Sequence, residues 1–121
     1  MERQRLPNRR LCLTETLEWC EHTWLMNVGF DVDGRVREVF IDGNKVGSLF
    51  EGLLDDACVL VSHLLQIGRT PADLVRRLGG SEAEPASPIG LVARQLARLE
   101  ADAGVIVREV YALAGQRGAA E

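Results

Sequence analysis

An α+β fold is what this chain's patterning predicts, on three observations. Short runs of alternating apolar residues fill its first third, apolar residues recur at helical spacing from about residue 50 onward, and turn or cap signals separate the runs. The expected architecture is a three-stranded antiparallel meander followed by helices that cover one face, ending in a long C-terminal helix open to a break at Gly104.

Leu11, Leu13, Leu17 and Trp19 alternate with polar or small neighbours, as a strand buried on one face requires. Trp24, Met26, Val28 and Phe30 repeat the pattern, with Cys20 and Glu21 as a tight connection between the two. Asp33-Gly34 is a turn signal, and a third strand is expected from Arg35 to Asp42, with Val39 and Ile41 on one face and Val36 and Phe40 on the other. Ser48 and Glu51 have capping-box spacing, and Phe50, Leu53, Leu54, Ala57, Val61, Leu64 and Leu65 then mark a helix that Gly68 ends. Thr70-Pro71 starts a two-turn helix stopped by Gly79-Gly80, and Ser87-Pro88 starts the last one. Behind it Ile89, Val92, Leu96, Leu99, Ala103, Ile106, Val110 and Leu113 keep a 3.5-residue period, the mark of a seam that packs on another helix. That partner is either the helix of Phe50 to Ile67 in the same chain or a second subunit. Three segments are expected: a basic arm over 1–10, the α+β domain over 11–96, and a helical extension over 97–121.

At 121 residues the chain is one domain, too short for a catalytic barrel of about 250 residues. Its 14 Lys and Arg against 18 Asp and Glu give a net charge of −4, which argues against general nucleic-acid binding. Arg3, Arg5, Arg9 and Arg10 are a local exception, read as a solvated arm. Cys12, Cys20 and Cys58 are odd in number and lack Cys-x-x-Cys spacing, so neither a disulfide framework nor a zinc ribbon is indicated. No apolar run approaches the roughly 20 residues of a membrane span, and a soluble cytoplasmic protein is expected.

The candidate binding residues lie where the third strand ends and the first helix begins. Gly43, Gly47 and Ser48 leave backbone N–H groups accessible, Lys45 adds positive charge, and a helix N-terminus adds its own partial charge. This is the layout of an anion pocket, although the residue order is not that of a Walker A loop. A plain strand-to-helix turn with Ser48 as cap is the competing reading. Cys20 and His22 are too few for a closed zinc site, and Ser62 and His63 are adjacent on a helix and point apart. No metal and no catalytic residue is assigned. Asp56 is expected to pair structurally with Lys45 or Arg37.

With these residues placed, the chain resembles the TSCPD domain, a module at the C-terminal end of adenosylcobalamin-dependent ribonucleotide reductases that also occurs alone. The matching pieces include Leu6-Pro7-Asn8-Arg9-Arg10, Thr14-Glu15-Thr16, Asp33-Gly34-Arg35, Glu38-Val39-Phe40-Ile41, Gly43, Lys45-Val46-Gly47-Ser48, Asp56, Ser62, Leu65-Gln66 and Ser87-Pro88-Ile89-Gly90. The resemblance marks Gln66 as a further candidate for ligand contact, or else as a residue that ties off the helix end. The cysteine motif that names the family would fall near Ser87 to Gly90, where this chain has no cysteine. The expected function is therefore a non-catalytic, self-associating module, without cofactor, that binds a nucleotide or other phosphate-bearing ligand at the turn. The alternative is a protein-interaction module that docks on a ribonucleotide reductase or another enzyme.

Overall fold

A computed structural model describes residues 11–42, 49–81 and 83–120, with side chains described as far as Gly115. Residues 1–10, expected as a basic arm, and 43–48, expected as a strand-to-helix turn, lie outside the described residues. Strands β1 (Cys12–Trp19), β2 (His22–Phe30) and β3 (Val36–Asp42) form one antiparallel sheet in the order β1-β2-β3. Helices α1 (Leu49–Gln66), α2 (Pro71–Arg77) and α3 (Pro88–Ala120) follow.

The alternation in the sequence sets the two faces of the sheet. Trp24, Met26, Val28 and Phe30 are all buried, and their register partners Leu17, Ile41 and Val39 share that core face. The opposite face carries a polar ladder. Thr14 Oγ1 donates to Asn27 Oδ1 at 2.7 Å, and Asn27 Nδ2 donates to Asp42 Oδ2 at 3.3 Å. Cys20 and Glu21 make the expected tight connection between Trp19 and His22, with Cys20 at φ 52°.

One strand expectation needs correction. Val36 does not share a face with Phe40: the register shifts between Gly29 and Phe30, so Val36 pairs with Phe30 and is buried, while Phe40 pairs with Asn27 and is half exposed. An inserted bulge residue reverses the alternation, which period-2 counting cannot anticipate. The bulge is held by an internal ion pair. Arg37 Nε lies 2.7 Å from Asp31 Oδ2, and the other guanidinium arm donates to the carbonyl of Leu65 at 2.7 Å. Asp31 Oδ1 accepts from the N–H groups of Asp33 and Arg35, which fixes the turn beside Gly34. Arg37 is thus partnered by Asp31 rather than by Asp56, which is exposed on α1.

Helix α1 contributes Leu54, Cys58, Val61 and Leu65 to the core from beside β3. Helix α2 carries a complete capping box, with Thr70 Oγ1 accepting from Asp73 N–H and the Asp73 carboxylate accepting from Thr70 N–H. The thirty-three residues of α3 run through Gly104 without a break, over about 50 Å.

Two faces of α3 are used. Val92, Leu96 and Leu99 of the expected seam are buried, but Ile106, Val110 and Leu113 are exposed. Helix α2, which packs on α3, is only seven residues or about 10 Å long, so it cannot follow the seam to its end. Farther along, α3 turns the positions Glu100, Gly104, Val107 and Tyr111 to the sheet. Glu100 Oε2 accepts from Val36 N–H at 2.9 Å, while Tyr111 Oη donates to the Phe30 carbonyl and accepts from Leu11 N–H. The residues on either side of position 96 therefore share one helix and one core, and Leu99 and Val107 belong to the same cluster as Leu17 and Met26.

Candidate functional site

The 43–48 segment joins Asp42 of β3 to Leu49 of α1, and so leads into a helix N-terminus with its unpaired N–H groups. Gly43, Lys45, Gly47 and Ser48 lie outside the described residues. Around the described start of α1 the side chains are largely aromatic and apolar. His22, Trp24 and Phe50 stack on one another with ring centroids 5.0 to 5.8 Å apart. Trp24 is buried, and its Nε1–H reaches both carboxylate oxygens of Glu51 at 3.0 Å. Glu51, expected to complete a capping box with Ser48, which lies outside the described residues, anchors the indole beneath the first turn of α1.

Next to this stack is a cavity of about 220 Å³. Phe50, Leu53, Leu54 and Ala57 of α1 line one side; Ser87, Pro88 and Ile89 at the start of α3 line the other. Ser87 Oγ caps α3 by accepting from Gly90 N–H at 3.3 Å. The lining is apolar apart from Ser87 and suits an apolar body such as a ring or an aliphatic side chain.

Gln66 lies at the opposite end of α1 from Leu49. Seventeen helical steps separate it from Leu49, roughly 25 Å at about 1.5 Å per residue. It lines a second cavity of about 170 Å³ with Glu38 and Phe40 of β3 and Val59, Ser62 and His63 of α1. Glu38 and Gln66 are each only 5% exposed. Residues that are far apart in the chain meet here because α1 runs alongside the edge strand β3, a placement that the apolar period of α1 does not report.

Two groups with nucleophilic potential, Ser62 and Cys58, are engaged or shielded. Ser62 Oγ accepts from Val39 N–H at 2.9 Å and donates to Val39 C=O at 3.1 Å. Burial, with the Asp55 charge adding to it, pushes the Cys58 thiol up to about 12. Cys12 and Cys20 are exposed and form no disulfide. Among the described residues no three His, Cys, Asp or Glu side chains gather as a metal site would require, and no helix is long and apolar enough to cross a membrane.

The family model of the TSCPD domain matches residues 3–103. The Vitamin B12-dependent ribonucleotide reductase of Agrobacterium fabrum is 32% identical over 88 residues, which is 73% of this chain and 7% of that protein. The protein of the same name from Bradyrhizobium diazoefficiens is 31% identical over 88 residues, with the same shares of each chain. The chain thus spans less than a tenth of the length of these relatives. No solved structure matches it.

Proposed function

We propose, because the chain belongs to the TSCPD domain family, that it is a non-catalytic accessory module which self-associates and takes a phosphate-bearing ligand at the strand-to-helix turn. The observation that carries the ligand reading is the order β3, turn, α1. Lys45 and the glycine-flanked amides of the turn lead into a helix N-terminus, and the aromatic stack and apolar cavity beside that helix start offer room for the uncharged body of a ligand. A ribonucleotide is the first candidate, since the relatives are named as ribonucleotide reductases. Exposed cysteines that form no disulfide, Cys12 and Cys20, suit a reducing compartment such as the cytoplasm.

Self-association rests on the uncovered half of the α3 seam. Ile106, Val110 and Leu113 repeat at steps of four and three on one side of the helix, all well exposed. A second copy that continues the packing begun by α2 would cover them. A docking role on another enzyme is the second reading, favoured by the exposed Leu49, Leu53, Val59 and Leu60 on α1.

A thermal-shift screen of inorganic phosphate and common nucleotides tests the ligand reading. A ligand that binds only the folded state at 100 times its dissociation constant adds about 2.7 kcal/mol. No stabilisation by any phosphate compound, together with capture of a protein partner through the α1 face, would leave the docking reading in its place.

A further inference from the structure

We propose that the edge of β1 pairs antiparallel with β1 of a second copy of this chain, so that two three-stranded sheets join into one. This rests on the self-association reading above and names the backbone that joins the copies. The Leu11 carbonyl accepts from Phe30 N–H, so by the alternation of an antiparallel ladder Leu13, Glu15, Leu17 and Trp19 bond inward to β2. Thr14, Thr16 and Glu18 turn their N–H and C=O groups outward, and no described residue takes them. The usual guards of a sheet edge are missing: β1 runs eight residues in unbroken register without proline, lysine, arginine or a bulge, whereas the other edge, β3, is covered by α1.

The route of α3 selects a second copy as the occupant. The helix crosses one end of the sheet, meeting Val36 of β3 through Glu100, then Phe30 of β2 and Leu11 before β1 through Tyr111. From Tyr111 it continues to Ala120, about 13 Å of helix that runs on past the β1 edge. Strands lie about 4.8 Å apart, so this overhang spans the place of two further strands. A single peptide strand would fill only the first, whereas the β1–β2 hairpin of another copy fills both. Val110 and Leu113, exposed on either side of Tyr111, stand beside that hairpin.

Charge selects the register. A two-fold axis normal to the sheet keeps each face continuous, so odd positions of one copy meet odd positions of the other. Of the two registers with the longest overlap, the one centred on Glu15 sets two carboxylates directly opposite each other. The one centred on Thr16 sets Glu15 against Leu17 and Leu13 against Trp19, which joins two partly exposed apolar side chains on the core face under the α3 overhang.

Thr16 carries the test, because its N–H faces away from β2 and a proline there costs the hairpin no hydrogen bond. Thr16→Pro should raise the dissociation constant of the assembly by about tenfold or more in sedimentation, since the two bonds exchanged at the axis are lost, while circular dichroism stays that of the wild type. Thr16→Cys, in a chain that also carries Cys12→Ser and Cys20→Ser, should form a disulfide-linked dimer on mild oxidation. Residues that face each other at the axis have Cα atoms about 5.5 Å apart, within disulfide range. Thr14→Cys should not, because its two copies lie about 14 Å apart along the strands. The crosslink carries the test if Thr16→Pro fails to fold. A folded Thr16→Pro that assembles like the wild type, no crosslink through Thr16→Cys, or an equal crosslink through Thr14→Cys overturns the pairing. Should Ile106→Glu still dissociate the assembly in that case, self-association stands through α3 alone; a wild type that is monomeric at all concentrations overturns both.

Discussion

The single hydroxyl of Ser62 satisfies both backbone groups of Val39, accepting from its N–H at 2.9 Å and donating to its C=O at 3.1 Å. β3 is an edge strand, and at this buried point a side chain from α1 takes the part that a fourth strand would otherwise play. Ser62→Ala is predicted to leave a donor and an acceptor unpaired at once. The expected loss is about 1 to 3 kcal/mol by chemical denaturation, with faster hydrogen exchange at Val39. A loss below about 0.5 kcal/mol would mean that water replaces the hydroxyl.

Gly104→Ala is predicted to destabilise the protein, against the usual gain of about 1 kcal/mol for replacing a mid-helix glycine. A Cβ at Gly104 would stand 2.7 Å from the carbonyl oxygen of Gly34, whose own φ of 78° fixes the β2–β3 turn beneath α3. Backbone meets backbone here, so no side chain can move aside. A melting temperature equal to or above that of the wild type would show that the helix can lift away without loss.

Positions on the α3 seam should separate by their burial. Ile106→Glu and Val110→Glu are expected to dissociate the self-associated form while leaving the fold intact, whereas Leu99→Glu, at a buried position, should unfold the single chain. Light scattering paired with circular dichroism distinguishes these outcomes. A wild-type protein that is monomeric at all concentrations removes the self-association.

Lys45→Ala is predicted to weaken a phosphate-bearing ligand by about 1.5 to 3 kcal/mol with little effect on stability, as for a charge-assisted hydrogen bond. Calorimetric titration of the two proteins decides it, since equal affinities would take Lys45 out of the site.

Cys58 should resist alkylation at pH 8 in the folded protein while Cys12 and Cys20 react. Its thiol is held up to about 12 by burial first and the Asp55 charge second, against an ordinary value of 9.0. The folded state therefore keeps a proton that the unfolded state releases. This contribution is fully present below about pH 9 and declines as pH rises toward about 12. Modification of all three cysteines at equal rates under native conditions would contradict the burial of Cys58.

The strands and helices were legible in the sequence because each is a local period closed by a local signal: Trp24 to Phe30 alternates, Thr70-Pro71 caps, and Gly68 stops. Relations between elements were less so. The bulge that turns Val36 inward depends on Arg37 finding Asp31 and the Leu65 carbonyl, the latter 28 residues away. The seam on α3 was readable as an apolar stripe, but the second face of Glu100, Gly104, Val107 and Tyr111 mixes a charge, a glycine and a phenol, and hydropathy alone does not reveal it. At the candidate sites, Lys45 and its glycines could be named from residue type and position. The meeting of Gln66 with Glu38 could not, since apolar spacing tells which side of α1 is buried and not along which strand edge it lies.

Tyr111 also gives the fold an order in time. Its hydroxyl holds the N–H of Leu11, made 100 residues earlier, and the carbonyl of Phe30, made 81 earlier, while Glu100 holds Val36 N–H across 64. On the ribosome, at about 5 to 20 residues per second, the meander completed at Asp42 waits roughly 3 to 14 seconds for Glu100 and Tyr111 to be translated, with those three backbone groups served only by water. A nascent chain stalled before Glu100 would therefore hold a sheet whose last tethers do not yet exist, and proteolytic protection of β1 and β2 should arrive late in synthesis, with the emergence of the final helix.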